Sequence, residues 1–252
     1  MKRGLLHGLA LIAFAALVAG GCLLWRNRPW RPAVLVNGHA LSVGELDLRA
    51  ATLLDDARRV EHLVVPEGRE AETQLHYRRQ AARMWIVKEV LLAEAVARGY
   101  TVTPDDEKEA LAQVASRLQG RSLTPDRFFR EGPLPEAVKR RDFREGVLIN
   151  KFTSKEVGDA VVVSPREIDD RLTELRRLAL VGAKPGEKVK QPTRKMAQDM
   201  LRAERFRKGF RVLFRGLFAK ADVKSPEFPD LEKLEAVSPA RSGDHDKPQE
   251  SK

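Results

Sequence analysis

The chain is poor in the residues that build reaction centres. Its 252 residues include one cysteine, Cys22, so no internal disulfide can form. The five histidines, His7, His39, His62, His76 and His245, are scattered. None falls in an i, i+4 or Cys/His ligand spacing, which argues against a structural metal site. No G-x-S-x-G nucleophile turn and no G-x-x-x-x-G-K-[ST] phosphate loop occurs. No catalytic or cofactor-binding constellation is visible, and no cofactor is implied. Asp105, Asp106 and Glu107 sit where acids stabilise the first turn of a helix. Asp55 and Asp56 read as a solvated face. Aromatics make up only 6% of the chain, while helix formers dominate, which points to a mainly α fold.

Acid is also in short supply. Lys and Arg number 46 against 36 Asp and Glu, giving a formal net charge of +10. Such a balance favours an anionic partner, whether lipid surface, nucleic acid or acidic polypeptide, without choosing among them. The length suffices for one or two packed domains.

Long apolar runs are absent with one exception. After Lys2 and Arg3, the stretch from Gly4 to Trp25 contains one polar residue, His7. As a helix it reaches about 33 Å, enough to cross a bilayer. Residues 1–31 are therefore a signal or transmembrane anchor segment. "VAGGC" places small residues before Cys22, as a lipoprotein signal does, so Cys22 is a candidate lipidation site. An uncleaved span is the alternative, with Trp25 and Trp30 among Arg26, Arg28 and Arg31 as an interfacial belt. Simple cleavage is a third.

Residues 33–36 are apolar, Asn37-Gly38 is a strong turn dipeptide, and 39–41 can return as a second short strand. Ser42 and Glu45 have capping-box spacing ahead of a helix carrying Leu46, Leu48, Leu53 and Leu54. A long helix is expected from about Ala71 to Arg98, with Leu75, Ala82, Trp85, Leu92, Ala95 and Val96 near one face and Gly99 just past its end. Thr103-Pro104 starts another, with Leu111, Val114, Ala115 and Leu118 inward. "LTPDRFF" (123–129) starts a short one. Residues 135–157 follow, with Val138, Phe143, Val147, Leu148 and Phe152 inward. Ser164 and Glu167 form a second capping box.

Then comes "LALVGAKPGEKVKQPTRK" (178–195), read as a linker. A long helix follows in which Phe206, Phe210, Leu213, Phe214, Leu217 and Phe218 make one stripe and Arg or Lys fills most of the rest. Residues 224–252, with prolines among charges, read as a disordered tail.

The order of these segments resembles the SurA N-terminal-like chaperone module of the SurA, PpiD and PrsA folding factors. "VLVNGHALSVGELDLR" resembles its opening strand and Ser-capped helix. "MWIVKEVLLAEAVARGYTVTPDDEKEALAQ" resembles its helix–Gly–"VT"–helix segment. "VKRRDFREGVLINKFTSKEVGDAVVVSPREIDDRL" resembles the part ending in "V-S/T-x-x-E-I", and helix 194–223 resembles the closing helix. The likeness covers about residues 33–223 and implies a helical chaperone module with a short N-terminal β-hairpin.

Relatives usually carry a parvulin isomerase domain between the "S-x-x-E-I" helix and the closing helix. Here that interval is residues 178–195, too short for such a fold and without its pocket residues. The resemblance thus implies no isomerase activity, hence no enzyme. It implies a bacterial envelope protein, anchored with its body on the periplasmic side, that binds unfolded or exported polypeptides. The alternative is a non-catalytic envelope scaffold for one partner.

Phe128, Phe129, Phe206, Phe210, Phe214 and Phe218 are candidate client contacts. For the helix stripe, core packing and attachment to anionic lipid compete with that role. Nucleic-acid binding through stretches such as "KRRDFR" (139–144) is the weaker explanation of the charge, because no recognition fold is evident.

The apolar and then basic residues after Cys22 favour the uncleaved span over lipidation. Cys22→Ser is therefore expected to leave gel mobility and membrane retention unchanged; loss of both would establish the lipidated form.

Overall fold

The computed structural model of the chain describes residues 29–118, 124–158, 161–181 and 191–233. Most of the expected leader, Cys22 included, lies outside the described residues. So do 182–190 of the expected linker and 234–252 of the expected tail. Among the described residues, no helix is long and apolar enough to cross a membrane.

The fold is mainly helical with one small antiparallel sheet. Strand β1 (Pro32–Val36) and strand β2 (His39–Ser42) form the expected hairpin. Asn37 (φ 50) and Gly38 (φ 85) both take left-handed backbone, as a two-residue turn of this twist requires. The register pairs Val36 with His39 and Val34 with Leu41, with an irregularity between Pro32 and Val34. A third strand, β3 (Val223–Lys224), pairs with the other edge of β1, giving the order β2–β1–β3. The Asn37 N–H donates to the Asp222 carbonyl, and the Asp222 N–H donates to Asn37 Oδ1, each at 2.9 Å.

Seven α-helices are described: α1 (Val43–Val60), α2 (Glu70–Ala97), α3 (Pro104–Leu118), α4 (Pro125–Arg130), α5 (Glu136–Gly158), α6 (Pro165–Val181) and α7 (Arg194–Phe218). Their ends follow the capping chemistry. Ser42, Thr124 and Thr193 each accept the N–H of the third residue on. Ser164 and Glu167 form a reciprocal box, with Glu167 accepting the Ser164 N–H at 2.8 Å. The Ser42 box is only half made. The Glu45 carboxylate turns instead to Arg49 and Arg141, whose charge attracts it more strongly than a backbone donor. Gly99 (φ 76) ends α2, and its N–H and that of Tyr100 bond the Val96 and Ala95 carbonyls.

The described residues fall into two compact units, where the sequence suggested one module over 32–223. One comprises 29–90, 104–118, 124–144 and 221–233; the other comprises 91–103, 145–158, 161–181 and 191–220. The division falls inside α2, after Val90, and inside α5, after Arg144.

In the first unit, Ala33, Val34, Val36, Leu41 and Leu46 are shut from solvent together with Ile86 of α2. Residues 224–233, expected within a disordered tail, are ordered. A 3₁₀ turn (Pro229–Lys233) buries Leu231 completely and Phe228 nearly so, while Arg31 pairs with Glu227 and Arg79 with Asp230. Burial of these two apolar side chains outweighs the proline content.

Three further expectations change. Leu75 and Val96 of α2 are more than half exposed, and Leu48 of α1 is exposed. Ala82, Trp85 and Ala95 of the expected α2 face are buried, and Ala81, Ile86, Val90 and Leu91 are buried with them. Helix α6 continues through Leu178–Val181, because Leu and Ala prolong a helix readily. The expected linker therefore loses its first four residues, and α7 takes its last two.

One polar cluster is built into the first unit. Arg49 donates to Asp142 at 2.7 Å and to Glu45 at 2.7 Å, and Lys88 donates to Asp142 at 3.1 Å. Burial alone pushes the Asp142 carboxyl up. The hydrogen bonds and charge of Arg49, with Lys88, outweigh this and hold it below the ordinary carboxylate value. A carboxyl with a depressed value in the fold stabilises the fold above its unfolded value, about 4. That contribution disappears as pH falls through the folded value. Asp142→Asn should cost about 2 kcal/mol at neutral pH, since it leaves two cations facing each other. It should also flatten the acid limb of stability below about pH 4, measured by urea denaturation across pH.

Candidate functional site

The basic, Phe-rich helix α7 starts at the Thr193 cap and packs along α6 in the second unit. Cross-helix ion pairs join Arg171 to Glu204 at 2.8 Å, Arg194 to Asp169 at 3.3 Å, and Arg205 to Glu167. The Ser164 N–H and hydroxyl, and then Arg205, hold the Glu167 carboxyl below its ordinary value.

The four expected phenylalanines of α7 form a continuous ladder. Phe206 and Phe210 lie 6.4 Å apart, Phe210 and Phe214 6.2 Å apart, and Phe214 and Phe218 5.7 Å apart, measured between ring centroids. Four residues advance about 400° around a helix, so each rung is rotated about 40° from the last. The row therefore winds across the helix and cannot keep one bearing. Phe214 is buried, with Leu217 beside it, while Phe206, Phe210 and Phe218 are half-buried. The candidate contact role is closed to Phe214 and partly open to the other three.

In the first unit, α4 settles which of the adjacent aromatics is accessible. Phe129 is buried, edge-on to Phe143 with centroids 5.5 Å apart, and the Arg140 guanidinium lies 4.7 Å from its ring centre. Phe129 is thus a packing residue and not an available contact. Phe128 points the other way and is 41% exposed. Cys22 lies outside the described residues.

Two concave features were not anticipated from sequence. The first is a shallow, nearly flat groove on the first turns of α7, lined by Thr193, Lys195, Met196, Asp199, Met200 and Ala203 of that one helix. Met196 is 51% and Met200 41% exposed there. Their spacing, with Ala203, follows i, i+4, i+7, a signal present in the sequence but overshadowed by the Phe stripe downstream. Methionine is flexible and polarisable and adapts to varied apolar partners.

The second is a smaller cavity of about 210 Å³ in the first unit, between α1 and the start of α2. Ala50, Ala51, Leu54, Val65 and Tyr77 give it apolar walls, with Arg58 among its polar members. Burial, then the charge of Glu61, pushes the Tyr77 hydroxyl above its ordinary value, so it stays neutral. That volume suits one apolar side chain better than a small-molecule ligand, for which sites run from about 300 Å³.

Among the described residues, no group of three His, Cys, Asp or Glu side chains is placed to hold a metal ion. The charged clusters present are ion pairs that staple helices together. No protein-family model matches the chain, and no curated protein matches it either.

The ladder and the exposed phenylalanine predict opposite mutational signatures. Phe214→Ala should lower stability by about 3–5 kcal/mol. Phe128→Ala should change it by less than about 1 kcal/mol, because a partly exposed ring has little burial to lose. Thermal or chemical denaturation of the two variants side by side checks the contrast.

Proposed function

We propose that the protein is a membrane-anchored, extracytoplasmic chaperone of the bacterial envelope that shields apolar segments of unfolded or exported polypeptides, without isomerase activity. The observation that carries the proposal is the Met196–Met200 groove. It is exposed apolar surface on a capped, ion-paired helix, deformable in its side chains and fixed in its backbone. Such a surface suits many loosely related apolar sequences better than one shaped ligand. Lys195 and Asp199 at its edge offer either sign of charge to a client backbone or side chain.

The resemblance of residues 33–223 to the SurA N-terminal-like module supports the same reading. So does the shortness of the chain between α6 and α7, which leaves no room for a parvulin domain. The half-buried Phe206, Phe210 and Phe218, and the exposed Phe128, supply further contact area.

The full chain, reconstituted in lipid nanodiscs, is expected to slow aggregation of an unfolded outer-membrane protein at near-stoichiometric ratio. Met196→Ser with Met200→Ser should weaken that protection several-fold without loss of thermal stability. No protection at several-fold excess would exclude the chaperone. Recovery of one stoichiometric partner from native membranes, in place of many substoichiometric clients, would favour the scaffold.

A further inference from the structure

From Arg205 to Lys220 the chain carries six basic residues and no acid. Arg205 is committed to Glu167, and Arg207 turns its Nε to the Ala203 carbonyl. Lys208, Arg211 and Arg215 are exposed and make no ion pair among the described residues. On a helix these three, with Val212, share an arc of about 100°. Val212, 69% exposed, lies at one edge of the arc, about 40° beyond Lys208. This arc bears three cations with one apolar side chain at its edge, on a helix whose Phe214 and Leu217 are held in the core.

We propose that the Lys208–Arg211–Arg215 face of α7, with Val212 at its edge, attaches to an anionic phospholipid surface. The three cations are spaced to meet separate headgroup phosphates, and Val212 can enter the boundary between headgroups and acyl chains. An acidic polypeptide would satisfy the cations but would hold Val212 against charge. The inference rests on the proposed function only for its bilayer: an apolar leader would keep the surface close and raise its effective concentration. Client capture by the methionine groove is a separate matter.

The test uses the full chain with Cys22→Ala and Gly216→Cys, labelled at position 216 with an environment-sensitive fluorophore. A side chain built at Gly216 meets nothing within 4 Å, so the label is accommodated beside Arg215. Flotation with phosphatidylcholine vesicles reports attachment through the leader alone. The label should shift to the blue, and be quenched by lipid-borne quencher, only when phosphatidylglycerol is mixed in. High salt should reverse the shift.

Lys208→Gln, Arg211→Gln and Arg215→Gln together should lower the attached-to-detached ratio about 100-fold, roughly fivefold per charge. A label that stays in water while the chain floats overturns the proposal. So does an equal shift in both kinds of vesicle, or a shift with polyglutamate but not with vesicles. A blue shift on anionic vesicles without flotation on neutral ones supports the face and refutes the leader as anchor.

Discussion

Strand β1 hydrogen-bonds on one edge to its neighbour in sequence, β2, and on the other to β3, whose residues come from near the far end of the chain. The Asn37–Asp222 contact at that second edge spans 185 positions. Closing so long a loop carries an entropic cost, and a two-residue strand contributes too little to meet it. The offset comes from what β3 brings with it. Leu231 and Phe228 are withdrawn from water, worth about 2 kcal/mol each, and Glu227 and Asp230 reach Arg31 and Arg79. The first unit thus depends on both ends of the described chain at once. Everything from α1 to α7 lies within the closed loop. Loop closure rises only slowly with length, so chain can be lost or gained between α6 and α7 with little effect on the β1–β3 pairing.

Charge is used in two ways. Arg49, Lys88, Asp142 and Glu45 are half-buried and mutually satisfied, and they tie α1, α2 and α5 within the first unit. Such a cluster adds little net energy over apolar packing, but it penalises any arrangement that separates its members. On α7 the cations beyond Arg205 have no ion-pair partners among the described residues, which leaves solvent or an external anion to relieve their repulsion. The net charge of +10 is therefore uneven in its meaning: part is structural, and part faces outward.

What sequence disclosed was local. The Asn37-Gly38 hairpin, the Ser164 box, the Thr124 start of α4 and the Gly99 stop all depend on residues within a few positions of one another, and all are found. What sequence hid was set by distant packing. Leu75 and Val96 have the right spacing for α2's expected inner face, yet both are exposed, while Leu91 and Ala95 beside Val96 are buried. β3 and the 3₁₀ turn have no strong local propensity and order only through β1. Phe128 and Phe129 could be told apart only once Phe143 and Arg140 were in place. The methionine groove was legible as a spacing, yet its exposure depends on which face of α7 is turned inward, where Ala197 and not Met196 or Met200 is buried.

The phenylalanine ladder joins the structural and surface roles of α7. A row spaced every four residues winds around a helix by about 40° per rung, whereas a flat neighbour covers one bearing. Only one rung can therefore be fully enclosed, and here it is Phe214. The rungs above and below must emerge on opposite flanks, as the half-buried Phe206 and Phe218 do. A designer seeking only stability would use mixed three- and four-residue spacing to keep the stripe on one side. Strict four-residue spacing forfeits some burial at each end and leaves aromatic edges beside the methionine groove at one end and the cationic arc at the other. On this geometry the accessible aromatic edges of α7 follow from the spacing of its core residues, and removing them by substitution would disturb the packing of the same helix.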